Sequence, residues 1–241
     1  MQAKRVETPD VREVGGPQNG EPQRVDRRLF VQLQVFGGCR DTGAVIDALK
    51  SAGMEGTLYE SVHDPCGVGV AICHEDPAHF VGPLRAVFQA SPFDGLSFQP
   101  HMTMFGRTYG VGYEPDLIDA LLGRPRRTLL NAQWPWAIWY PLRRKGNFAA
   151  LDGAAQRDIL AEHGAIGRAF AGADFAHDVR LACHGLDPND NDFVIGLVGS
   201  QLHPLSAIVQ RMRRTAQTST YLERLGPFFV GKAVWQSEWQ S

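Results

Sequence analysis

No apolar run in these 241 residues approaches the roughly 20 that a membrane helix needs, so no membrane span is expected. A one-sided charge is missing as well. The chain carries 24 Lys and Arg against 26 Asp and Glu, which makes no electrostatic case for nucleic acid or an acidic membrane surface. Cysteine is scarce: Cys39, Cys66, Cys73 and Cys183 are scattered without a disulfide framework, as suits a reducing compartment. Large apolar residues are nearly absent from residues 1–27, which also lack the apolar segment of a signal peptide. That composition predicts a disordered tail and a cytoplasmic protein. The chain as a whole is 44% apolar, enough for one large core or two modest ones.

From Leu29 onward the pattern is regular. Leu29 to Phe36 alternates and ends at Gly37-Gly38, a strand and its turn. Asp41 or Thr42 can cap a helix that stops at Gly53. Strands are expected over Thr57 to Val62 and Gly67 to Cys73. Asp76-Pro77 opens a helix carrying Phe80, Leu84, Val87 and Phe88, and Leu96 to Phe105 reads as a fourth strand. His63, Cys66, Cys73, His74 and His79 lie close together, but their spacing matches no structural zinc pattern. Gly106 to Gly112 lacks the lysine and the setting of a phosphate loop and reads as a flexible connection.

Tyr113 to Leu122 reads as a short linker helix stopped by Gly123-Arg124-Pro125, after which the order repeats. An aromatic strand, Trp136 to Tyr140, leads into a cationic turn, Arg143 to Asn147, and a helix from about Asp152 to Phe170. Strands at Val179 to His184 and Asp192 to Val198, a helix at Pro204 to Arg214 and a last strand at Phe228 to Trp235 complete it. Each half is βαββαβ, a ferredoxin-like unit. The expected fold is therefore α+β, with tandem units pairing their sheets into a barrel and a ligand cavity between sheet and helices. The divisions are a tail (1–27), an N-terminal unit (28–112), a linker (113–133) and a C-terminal unit (134–241).

The second half holds the chemistry. Ile159, His163, Ile166 and Phe170 share one helix face, so the His163 imidazole faces the interior and must find a hydrogen-bond partner or hold a metal. With Tyr140 and the basic turn, it suggests a site for a flat, anionic, metal-containing ligand.

From Arg126 to Lys232 the chain resembles the chlorite dismutase family, and within it the coproheme decarboxylases. The motifs are Trp139-Tyr140-Pro141 with the basic residues after it, HGAIGRAFAG from His163, GLDPNDNDFVIGL, and the run from Met212 to Gly231. The resemblance implies an iron porphyrin, haem b or coproheme III, in the C-terminal half with His163 as iron ligand, in a ring of five subunits. It implies Tyr140 as a radical relay that takes hydrogen from a propionate, with hydrogen peroxide as oxidant. It also places Arg126, Arg144, Asn147, Arg213 and Thr218 at propionate-binding positions. Gly164 and Gly167 would let the ring approach the helix. Chlorite dismutases carry an arginine on the open side of the haem, where counting gives Asp178, with His177 beside it, or Ala176. That argues against chlorite chemistry, and Asp178 or His177 could instead act as a base on peroxide. The alternative expectation is a haem-binding member of the family without decarboxylase activity.

Overall fold

The computed structural model describes residues 8–239. Its centre is an eight-stranded antiparallel barrel built from the two expected units. The first unit supplies β3 (Phe30–Gly37), β4 (Gly56–Ser61), β5 (Val68–His74) and β7 (Met104–Arg107). The second supplies β8 (Trp136–Arg144), β9 (His177–Ala182), β10 (Phe193–Gly199) and β12 (Phe229–Gln236). Round the barrel the order is β3-β5-β4-β12-β8-β10-β9-β7 and back to β3. One seam, β4 with β12, is a ladder of five residue pairs. The other, β7 with β9, is the single pair Arg107–Ala182. The interior is solid, filled by inward residues such as Leu33, Tyr59, Met104, Trp139 and Phe229.

Helices cover the outside of each half. Over the first lie α1 (Thr42–Ser51), α2 (Ala78–Val81) and α3 (Pro83–Phe88), closing a core of Val45, Leu49, Leu58, Ile72 and Phe93. Asp41, not Thr42, caps α1 by accepting from Ala44 N–H. The single helix expected after Asp76 is broken at Gly82-Pro83, because the proline ring clashes with the preceding turn. Gln99-Pro100 likewise interrupts the expected strand Leu96 to Phe105, leaving β6 (Ser97–Phe98) and β7 apart.

Three further expectations are corrected. Within the supposed tail, β1 (Glu13–Gln18) and β2 (Glu21–Val25) form a hairpin across Asn19-Gly20, both at positive φ. The Gln23 side chain bonds across the hairpin to the Gly16 carbonyl and fastens it to Glu114 and Leu117. Residues 1–7 lie outside the described part. Gly123-Arg124-Pro125 does not stop the linker helix: a π turn at Asp119–Gly123 runs straight into α4 (Arg124–Leu129). The wider turn accommodates the proline. The connection after β7 is tied down rather than flexible, with Gly110 N–H donating to Glu13 and Glu114 accepting from three successive N–H groups.

On the second half, α5 (Gly146–Ala149), α6 (Gly153–Gly172), α7 (Leu202–Met212) and α8 (Ala216–Tyr221) lie outside the barrel. Asp152 caps α6 by accepting from Ala154 and Ala155. Strand β11 (Leu222–Leu225) pairs with β8, and that pairing extends β8 through Arg143 and Arg144. The expected cationic turn is therefore half strand. No helix among the described residues is long and apolar enough to cross a membrane.

Candidate functional site

Strand alternation sorts the side chains of β8. Ala137 and Trp139 point into the barrel, while Ile138, Tyr140 and Leu142 face the helices. Because β8 continues through residue 144, Arg144 falls on the Tyr140 face. Paired residues in neighbouring strands share a face, so Arg180, Ile195 and Tyr140 form one row across β9, β10 and β8, and Asp178, Leu197 and Ile138 form the next. His163 comes from the other side, on α6, whose Ile166 and Phe170 join the same apolar cluster as Tyr140. The cleft side of the sheet thus presents Tyr140, Arg144, Asp178 and Arg180 toward α6. The Arg144, Arg180 and Asp178 charges are close enough to act on His163, and Asp178 and Arg180 also line a crevice with Tyr109, Val111 and Arg124.

His163 is partly buried, and its Nδ1 lies 3.3 Å from the Thr215 hydroxyl. Burial, reinforced by the Arg144 cation, holds its pKa down to about 4, so the ring is neutral at pH 7. With Nδ1 occupied, Nε2 is the atom left for a ligand. One turn on, the helix surface is open: a Cβ on Gly167 would meet nothing nearer than Met212 Cε at 3.9 Å, whereas one on Gly164 would meet Arg168 Nη1 at 3.2 Å. Among the described residues no group of three or more His, Cys, Asp or Glu side chains is placed to hold a metal ion. A metal at His163 would therefore have to bring most of its own ligands.

Arg144 is the other unusual group. Its guanidinium lies between two rings, 4.7 Å from the centroids of both Phe148 and Phe193. Its Nε is buried without a partner among the described residues, and burial, offset only in part by Tyr109 and the Asp192 carboxylate, lowers its pKa. An unpaired buried cation is costly, and a carboxylate would relieve it. Arg143, one residue earlier, points away and pairs with Asp190 at 2.6 Å. Tyr140 stacks on Phe228 with centroids 4.9 Å apart, and burial, followed by the Asp178 carboxylate, raises its phenol pKa.

The other expected site residues divide. Arg213 and Thr218 line a cleft of about 320 Å³ with Leu222 to Leu225. That cleft adjoins the site, since Thr218 Oγ1 lies 3.4 Å from Thr215 Oγ1 and Leu222 pairs with Arg144. Asn147 is exposed on α5. Arg126 is not brought to the site: its guanidinium binds Glu55 at 2.7 Å, lies 3.7 Å from Glu75 and donates to the Leu122 carbonyl. His177 is likewise turned away, stacked on Trp134 at 3.5 Å and bonded to Asp174 at 2.7 Å. Ala176 is buried in the helix–sheet core. Asp178 alone of these three faces the cleft, and it holds Arg180 at 2.9 Å. An arginine therefore does stand on this face, two residues beyond the counted position and tied to a carboxylate. The alternation Asp178-x-Arg180 on a strand was the signal for it.

The sequence profile of the chlorite dismutase family matches residues 87–234, well over half of the chain. The chain belongs to the chlorite dismutase family. Among solved structures, a haem-binding protein from Thermus thermophilus is 18% identical, with 94% of each chain covered and a TM-score of 0.68. An arginine-to-lysine variant of chlorite dismutase from Candidatus Nitrospira defluvii is 16% identical over 87% of this chain and 92% of its own, with a TM-score of 0.65. The enzyme from that organism in complex with imidazole gives 16% identity and a TM-score of 0.64 over the same shares. At these identities the likeness is one of fold. No curated protein sequence matches the chain.

Proposed function

We propose that this chain binds an iron porphyrin with His163 Nε2 as its protein ligand, and that it decarboxylates coproheme III oxidatively to haem b with hydrogen peroxide. The observation that carries the reading is the pairing of a neutral, half-buried histidine with a partly buried arginine whose Nε has no partner among the described residues. Three features fit the group. His163 offers one nitrogen, the open surface at Gly167 leaves room for a flat ring, and Arg144 Nε lacks the acceptor that a propionate would supply. The family membership and the haem-binding relative from Thermus thermophilus support the same choice.

Bound there, the iron would supply the oxidising power drawn from peroxide. The chain's residues do the rest. Arg144 anchors a carboxylate through charge-assisted hydrogen bonds. Arg213 and Thr218, beside it, offer further donors to carboxylates reaching the adjoining cleft. Tyr140, kept protonated by burial, holds a hydrogen atom to lose, and as a radical can take one from a propionate side chain. Asp178 faces the same space and can accept a proton from peroxide, while Arg180 steadies the carboxylate. For each propionate the balance is one peroxide and one proton consumed, with one carbon dioxide and two waters released and a vinyl group left.

A second reading, a haem-binding protein without decarboxylase activity, is favoured by Arg126. Its commitment to Glu55 removes one expected anchor for a substrate richer in carboxylates than haem b. Mixing the purified chain with coproheme and then peroxide separates the two. A Soret shift followed by loss of two carbon dioxides and four hydrogen atoms supports decarboxylation. A shift with no mass change leaves only binding, and no shift ends both. Tyr140→Phe should bind coproheme normally and leave its mass unchanged after peroxide. The family resemblance also carries the expectation of a homopentamer, which sedimentation would test.

A further inference from the structure

Thr215 lies under the proposed iron ligand, and its hydroxyl is fully committed. It is 1% exposed, at the position that caps α8. Its one proton goes to the Met212 carbonyl at 2.8 Å. The oxygen must therefore accept its other contacts, from Thr218 N–H and the Thr218 hydroxyl, each at 3.4 Å, and from His163 Nδ1 at 3.3 Å. A hydroxyl that can only accept requires Nδ1 to carry the hydrogen, which leaves the lone pair on Nε2. The neighbouring carboxylate, Glu162, is occupied elsewhere: its Oε2 accepts from Ala216 N–H at 3.0 Å.

Resting on the reading of His163 as iron ligand, we propose that Thr215 is its positioning residue, locking the Nδ1–H tautomer and giving the imidazole a neutral partner in place of a carboxylate. Such partners set ligand basicity. A carboxylate draws the Nδ1 proton and makes the ring more anionic, whereas a hydroxyl does so much less. An iron at Nε2 would then be held at a higher reduction potential than a carboxylate partner would allow.

The first test needs no porphyrin. Long-range proton–nitrogen spectra of the full chain at pH 7 should show His163 as the Nδ1–H tautomer in the wild type and in Thr215→Ser. In Thr215→Val the Nε2–H form should become populated. A wild-type resting state with the proton on Nε2 overturns the proposal. The second uses the chain loaded with iron protoporphyrin. Thr215→Val should weaken binding about 10- to 100-fold and move the ferrous iron–nitrogen stretch, and Thr215→Ser should restore both. Thr215→Asp should lower the reduction potential below that of the wild type. Should the valine variant not fold for want of its helix cap, the serine and aspartate variants still decide. An unmoved potential and stretch across the folded variants refute the role of Thr215. A wild type that shows no Soret band refutes the iron ligand itself, and this role with it.

Discussion

Replacing Arg144 by leucine should make the empty protein more stable and the loaded one weaker. In the wild type the guanidinium is partly withdrawn from water, the Asp192 carboxylate offsets this only in part, and Nε has no acceptor among the described residues. Burying an unpaired cation costs several kcal/mol. The faces of Phe148 and Phe193 return about 0.5–2 kcal/mol each. That leaves a net strain of about 1 kcal/mol, which a leucine packed between the same rings removes. For a chain of this length the melting temperature of the empty protein should rise by about 2–4 °C. The backbone bond from Arg144 N–H to Asp192 is untouched by the change. With a carboxylate-bearing iron porphyrin the sign reverses. Losing a charge-assisted hydrogen bond worth about 1.5–3 kcal/mol weakens binding roughly tenfold to hundredfold. Thermal melts of the empty chain and Soret titrations with iron protoporphyrin and its dimethyl ester read both halves. The ester carries no carboxylate and should bind wild type and variant alike. A lower melting temperature together with unchanged porphyrin affinity would show that Arg144 is a structural cation and would refute its role as an anchor.

Three other outcomes follow from the geometry. His163 has its pKa lowered from 6.5 to about 4, so the unfolded chain binds more protons between those values. Its contribution is present above pH 6.5 and lost as pH falls toward 4, about 3 kcal/mol in all. Urea melts at pH 7.5 and 4.5 should therefore show a steeper acid loss in the wild type than in His163→Gln, and equal losses would contradict the burial argument. Asp178→Asn frees Arg180 from its 2.9 Å partner, so the iron-porphyrin-loaded variant should bind fluoride about tenfold more tightly. An unchanged affinity would mean that Arg180 does not reach the ligand's open face. Finally, a Cβ at Gly196 would stand 2.6 Å from the buried Trp139 ring, and Gly196→Ala should destabilise the barrel by about 1–3 kcal/mol, as chemical denaturation would measure.

The βαββαβ pattern was legible twice because apolar spacing is a local property. Ile159, His163, Ile166 and Phe170 declare a helix face whatever packs on it, and the alternation in β3 declares a strand. Where the reading failed, the cause was seldom local. The hairpin at Glu13–Val25 is mostly polar and is held by Gln23 reaching a loop about ninety residues away. Strand β11 and helix α8 carry no clear apolar stripe, so neither was visible, although β11 is what draws Arg144 into β8.

The sequence by itself determined the class of the protein: two ferredoxin-like units, family motifs, and one histidine set into an apolar helix face. Only the tertiary structure decided which basic and acidic groups serve that histidine. Arg126 and Arg144 were both candidates by the family resemblance, but Glu55 claims one while the pairing of β11 with β8 turns the other inward. Asp178 and His177 are adjacent in the chain, yet strand parity sends them to opposite sides. Thr215 lies fifty-two residues from His163 and reaches it only because α8 folds back against α6. Spacing along a chain fixes which side chains share an element, whereas the pairing of distant elements fixes which of them meet.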